Sequence, residues 1–173
     1  MKKISVLMAL ILALLALAGC GAAGSSSGSM SSGGSSSAPA VTLEGTPSEI
    51  IDKIYAGAPE DLEYPMMLAT SEITEDNSVY MTGVERSEYK EGAVSESMVG
   101  SIAYSMVVLR ANDAAGAQAL ADSVKEKVDP RKWICVEAET VNTAVIGDVV
   151  FMVMADQATA DALTASFEAL AQA

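Results

Sequence analysis

Histidine is absent from this chain of 173 residues, and no other feature removes as much chemistry. Without imidazole there is no His-ligated zinc site, no Ser-His-Asp triad and no Cys-His nucleophile pair. Basic residues are scarce: Lys+Arg 10 stand against Asp+Glu 23, a formal net charge of −13. Neutralising phosphates takes clustered Lys and Arg, so nucleic acid is excluded as a partner. Aromatic residues make up 5%, with a single Trp, which leaves little to line a ligand cleft. The length suits one ordinary domain rather than two.

What is present begins with an address. Lys2 and Lys3 precede an apolar stretch, Ile4 to Ala18, broken only by Ser5. It is short for a transmembrane helix, which needs about 20 apolar residues, and fits a secretory signal peptide over residues 1–19. The stretch ends in Leu17-Ala18-Gly19-Cys20, which resembles the lipobox of bacterial lipoproteins. That resemblance implies diacylglycerol on the Cys20 thiol and cleavage between Gly19 and Cys20. Two acyl chains suffice for a stable membrane hold, because each buried CH₂ contributes about 0.8 kcal/mol. With Cys20 lipidated, Cys135 has no intramolecular partner and the mature fold carries no disulfide.

Residues 21–37 are nine Ser, five Gly, two Ala and Met30, a composition that cannot bury a core. The expected organisation is therefore a lipidated, disordered tether over residues 20–45 and one domain over 46–173. Folding signals start at Thr46-Pro47-Ser48-Glu49, a capping box with Pro at the first helical position. Ile50, Ile51, Ile54 and Tyr55 follow at helical spacing, and Gly57 with Pro59 ends the helix. Met66-Met67-Leu68 reads as a short strand, Val84–Val94 as extended, and Ile102–Leu109 as a strand. Asn112 or Asp113 caps a second helix, buried through Ala117, Leu120, Ala121, Val124 and Val128 and ended by Pro130. Trp133–Val136 reads as a strand, with Cys135 buried and inert. Val141–Ile146 and Val149–Met154 form a hairpin through Gly147-Asp148, with Gly147 at positive φ. Asp156 caps a last helix facing inward through Ala160, Leu163, Phe167 and Leu170. The pattern predicts an α+β fold in two layers: a mainly antiparallel sheet carrying about three helices on one face.

Several segments are similar to a family of Firmicutes-type lipoproteins known only as a domain of unknown function. They are Glu75-Asp76-Asn77-Ser78 with Tyr80 and Gly83, Glu96-Ser97-Met98, Ser101-Ile102-Ala103-Tyr104-Ser105 and Asp129-Pro130-Arg131-Lys132-Trp133-Ile134-Cys135-Val136. The resemblance spans roughly residues 46–170. The family pattern often has proline at Ser97 and histidine at Tyr104, so any proton-transfer role at the second position is lost here. It implies location and domain extent, and no catalytic residue is carried over.

The remaining constellations are weak as chemistry. Residues 44–96 hold 13 acidic and 3 basic side chains, but Glu72, Glu75 and Asp76 lack the spacing of a calcium loop. They are expected to form a solvated face; no metal and no cofactor is predicted. Met106, Met152 and Met154 lie in strands and read as core filler, and with no clustered Met motif on a loop no copper site is expected. Arg131, Lys132 and Trp133 are the candidate contact, because Trp and Arg concentrate at binding hot spots. The competing account has Trp133 sealing the core, with the cations favoured near a helix C-terminus. The reading is a lipid-anchored protein on the extracytoplasmic face of the cell membrane. It is expected to be a non-catalytic binding or accessory module whose partner is an envelope protein or a small ligand. A small carboxylate-based hydrolase using residues 72–76, or a purely protein–protein interaction domain, are the alternatives.

Overall fold

A computed structural model describes residues 42–172, all within one compact unit, Ser37–Ala173. The expected signal peptide, with Gly19 and Cys20, and the expected tether up to residue 41 lie outside the described residues. Along the chain run α1 (Pro47–Gly57), β1 (Leu68–Glu72), α2 (Ser78–Thr82), β2 (Tyr89–Ser97), β3 (Ser105–Ala111), α3 (Ala117–Lys127), β4 (Thr140–Ile146), β5 (Val149–Ala155) and α4 (Gln157–Ala169). All strand pairs are antiparallel, in the order β1-β2-β3-β5-β4. The α+β class, the antiparallel sheet and the three main helices are as expected.

Strand alternation splits the core in two. Met106 and Val108 of β3, with Phe151 and Val153 of β5, meet Ile50, Ile51 and Ile54 of α1 and Leu163 and Phe167 of α4. Phe151 and Phe167 stack with centroids 5.0 Å apart. On the other side Val107 and Leu109 of β3, with Val150, Met152 and Met154 of β5, meet Leu120, Ala121 and Val124 of α3. The helices therefore do not all share one face: α1 and α4 form the expected layer on the sheet, and α3 covers the opposite side. The all-apolar run of β5 is the reason, since a strand with no polar face must be covered twice.

Two of the three expected caps form; the one expected at Asn112 or Asp113 does not, because Asp113 Oδ1 accepts from Gly116 N–H at 2.7 Å in a turn and α3 begins only at Ala117, after Gly116 and without a side-chain cap. Glu49 N–H donates to Thr46 Oγ1 while Thr46 N–H donates to Glu49 Oε2, and Asp156 Oδ1 accepts from Thr159 N–H at 2.9 Å. Gly147, at φ 60°, supplies the conformation that the two-residue link between β4 and β5 needs. The domain begins earlier than residue 46. Leu43 is buried, and Arg110 Nη2 donates to the carbonyls of Leu43 and Gly45 at 3.0 and 2.7 Å. Arg110 is itself held by Asp148 at 2.8 Å and Glu91 at 3.2 Å, so a half-buried cation clamps the entering chain to the sheet.

Four expected strands change. Val84–Val94 is extended only from Tyr89, after a 3₁₀ turn at Arg86–Glu88, and the strand expected over Ile102–Leu109 runs Ser105–Ala111. Met67 turns the chain at φ 56° instead of extending it, so β1 starts at Leu68. Trp133–Val136 is not a strand but part of an irregular loop, for reasons given next.

Candidate functional site

The loop follows α3. Pro130 has no N–H to donate, and Asp129 Oδ1 accepts from Arg131 N–H at 2.8 Å, which turns the backbone out of the helix. Ala138 N–H then donates to Pro130 C=O at 3.0 Å, and Arg131 faces Glu137 across the same neck at 3.6 Å. The segment between is a closed loop with its ends together. Its β-rich composition imitates a strand, but its backbone bonds go to its own neck, and β4 begins only at Thr140.

Two side chains fasten this loop to the sheet. Trp133 is 9% exposed and packs in the α3-side core with Val128, Ala138 and Met154. Lys132 goes deeper, its side chain 2% exposed. Its ammonium forms an ion pair with Glu96 of β2, donates to Ser105 Oγ of β3 at 3.2 Å, and touches Met81 Sδ at 3.5 Å. The same cation lies 5.1 Å from the Tyr80 ring centre and 5.3 Å from that of Trp133, within reach of both π faces. Tyr80 also donates its hydroxyl to the Lys132 carbonyl at 3.2 Å. Burial pushes the Lys132 ammonium below its ordinary value, and Glu96 pulls it partly back. Glu96 Oε1 is itself enclosed, with Lys132 as its ion-pair partner.

The position of Tyr80 depends on a glycine. Gly83 ends α2 at φ 76°, and a β-carbon there would sit 2.5 Å from the Lys127 carbonyl carbon. The close approach sets α2 against the end of α3, beside the loop. Ser78 Oγ, bonded to Val84 C=O and Tyr89 hydroxyl at 2.8 and 2.7 Å, anchors α2 from beneath.

Of the three predicted contact residues, then, Trp133 and Lys132 face inward and only Arg131 is exposed. The outward face belongs to residues that sequence reasoning passed over. Ile134 is 97% exposed, Cys135 is exposed rather than buried, and Tyr80 and Val79 of α2 are half exposed. The expectation of a buried thiol fails because the residues around it do not alternate on a strand. Trp133 turns in, and the next two side chains turn out together. A hollow of about 340 Å³ lies against this loop, lined by Arg131, Trp133, Ile134, Cys135, Val136 and Glu137. Exposed methionines also gather at one end of the sheet. Met98 N–H donates to Met67 C=O at 3.0 Å, and Met66, Met67 and Met98 are each about 70% exposed, whereas Met106, Met152 and Met154 fill the core as expected.

A serine beside a lysine invites comparison with a nucleophile and its base. Here Ser105 is fully buried, and substrate has no path to Oγ. The acidic segment offers less. Glu75 and Asp76 stand in solvent, and Glu72 lines an open hollow of about 530 Å³ with Glu91, Arg86 and Lys90. Among the described residues no three His, Cys, Asp or Glu side chains converge as metal ligands would. Tyr104 is buried with its hydroxyl 2.8 Å from that of Tyr55, which donates to Ser95 Oγ. Burial pushes the Tyr104 hydroxyl far above its ordinary value, so it stays protonated. Ser97 Oγ donates to Met66 C=O at 2.9 Å, a bond proline could not make. No family model, curated protein or solved structure matches this chain.

Proposed function

We propose that this chain is a lipid-anchored protein of the extracytoplasmic membrane face whose domain is a non-catalytic binding module of the cell envelope. The Leu17-Ala18-Gly19-Cys20 ending, which resembles a lipobox, supports the anchor. No helix among the described residues is long and apolar enough to cross a membrane. The observation that carries the binding reading is Ile134, held 97% exposed on a loop whose neighbours Lys132 and Trp133 are locked in the core. A flexible loop could fold such a side chain away. This one presents it, with Cys135 beside it and Tyr80 across Lys132, as a protein contact would require. The partner class is an envelope protein, and the hot spot moves from Arg131-Lys132-Trp133 to Ile134 and Tyr80.

The test is in-membrane cross-linking of the full chain, comparing wild type with Ile134→Asp and Tyr80→Ala. Loss of a discrete cross-linked adduct in both variants, with an unchanged urea midpoint for Ile134→Asp, is the expected result. An adduct that survives both substitutions overturns the assignment. Mass spectrometry of the mature chain tests the anchor separately: an N-terminus other than Cys20, or an unmodified Cys20 thiol, ends that part of the reading.

A further inference from the structure

The sheet has two edges, and β4 is the one built for another strand. It is a seven-residue run, Thr140-Val141-Asn142-Thr143-Ala144-Val145-Ile146, with no charge, no proline and no glycine, in a chain of net charge −13. Natural edges are usually protected by charges, proline or bulges, and β4 has none of these. Its register to β5 runs unbroken from Thr140↔Ala155 to Ile146↔Val149. Six of its seven residues are half-buried, leaving the edge reachable between α3 on one face and α4 on the other.

The hairpin geometry decides which backbone groups are unused. In a two-residue hairpin the residues flanking the turn, Ile146 and Val149, exchange both their hydrogen bonds. Bonding then alternates along the strand, so Ile146, Ala144, Asn142 and Thr140 face β5. The N–H and C=O groups of Val141, Thr143 and Val145 point away from the sheet. These three are symmetric about Thr143, the centre of the strand.

We propose that β4 pairs antiparallel with β4 of a second copy of this chain about a two-fold axis at Thr143, giving one continuous ten-stranded sheet. Thr143 then lies opposite Thr143 of the second copy, and Val141 opposite Val145, each pair exchanging two hydrogen bonds. On the α3 side every cross-strand pair is β-branched, which favours pairing. On the α4 side Asn142 meets Ala144, so no like charges face each other in spite of the acidic chain. Asp161, the nearest carboxylate on α4, is occupied by Asn142 Nδ2 at 3.1 Å and Gln157 Nε2 at 2.8 Å. The opposite edge, β1, is shorter and lacks this fit: self-pairing about its centre, Thr70, would set Glu72 against Leu68.

The test uses the full chain in membranes with Cys135→Ser as background. Thr143→Cys in that background places two thiols across the axis. Hydrogen-bonded antiparallel neighbours have Cα atoms about 5.5 Å apart, within disulfide range. Mild oxidation is expected to give a disulfide-linked dimer about tenfold above both the background and Ser71→Cys on β1. A yield equal to either control overturns the proposal. As a second measurement, the detergent-solubilised wild-type chain should sediment as a dimer. Thr143→Pro, which removes the central outward N–H and is tolerated on an edge, should sediment as a monomer with unchanged circular dichroism. If that variant loses its folded spectrum, Thr143→Lys, which sets two ammonium groups on the axis, is read the same way. A monomeric wild type, or dimers that persist in a folded variant, refute β4 pairing.

Discussion

The two faces of the sheet are closed in different ways. On the α1 and α4 face, apolar side chains from two capped helices meet β3 and β5, and the polar groups in its interior are the hydroxyls of Tyr55, Tyr104, Ser95 and Ser166, with the Arg110 ion pairs to Asp148 and Glu91 at its rim. On the α3 face one helix does not suffice. An irregular loop completes the cover, and it brings a charged lysine into the interior with a carboxylate to match. The first face is made by regular elements. The second depends on a single ion pair and one tryptophan, and the outward side of that same loop carries the candidate contact. The difference teaches that the proposed contact surface rests on the half of the core that depends on a loop and an ion pair brought together from distant parts of the chain.

The largest effect that would break this comparison comes from core truncation. Phe167→Ala on the helical face and Trp133→Ala on the loop face should each cost about 3–5 kcal/mol, read as a lower urea midpoint. Wild-type fluorescence from the only Trp should be that of a shielded indole. If Trp133→Ala leaves the midpoint unmoved while Phe167→Ala lowers it, the loop is an appendage and not a wall of the core.

Next comes the ion pair. Glu96→Ala leaves the Lys132 ammonium buried without a partner and should cost about 3–5 kcal/mol, whereas the double replacement Lys132→Met with Glu96→Leu should be neutral or stabilising. The pH dependence sharpens this. Because burial holds Lys132 below its ordinary value, the unfolded chain binds that proton more tightly than the folded one. Stability contributed by this residue therefore rises with pH through the window below about 10.5 and levels off above it. Tyr104 has the opposite sign: its folded value is raised, so its contribution is complete below its unfolded value near 10 and falls as pH rises further. Wild type should thus gain on the double variant between neutral pH and the onset of tyrosine ionisation. A constant difference across that range would show that Lys132 is not desolvated.

The smallest effects belong to the outer face of the loop. Ile134→Asp should change stability by no more than about 0.5 kcal/mol, as exposed positions do. Cys135 should react with a bulky maleimide as fast in the native chain as after urea unfolding. Protection in the native state would place the loop's outer face inward and remove the contact surface.

The α1 and α4 face was legible residue by residue. Thr46 and Asp156 marked helix starts, the isoleucines at 50, 51 and 54 marked a buried stripe, and Gly147-Asp148 marked a hairpin. Each of these signals is local: a cap, a helical period or a turn is decided within a few residues. The candidate site was legible only in part. Asp129-Pro130 announced the break after α3, and Trp133 was weighed as a seal for the core. The exposure of Ile134 and Cys135 was hidden because Trp-Ile-Cys-Val has strand composition, and composition does not reveal whether a partner strand is free. The burial of Lys132 was hidden because its partner, Glu96, is 36 positions away in the chain.

The amino-acid sequence by itself determined the α+β class, the caps at Thr46 and Asp156 and the β4–β5 turn. All of these rest on short-range sterics, hydrogen bonding and composition. Only the tertiary structure decided that α3 lies on the opposite face from α1 and α4, that Lys132 turns inward and Ile134 outward, and that β4 rather than a central strand forms an open edge. Those outcomes depend on which distant groups meet. A buried cation is tolerated only where a carboxylate, a hydroxyl and aromatic rings from other elements arrive to surround it, and strand order sets which backbone groups remain unpaired.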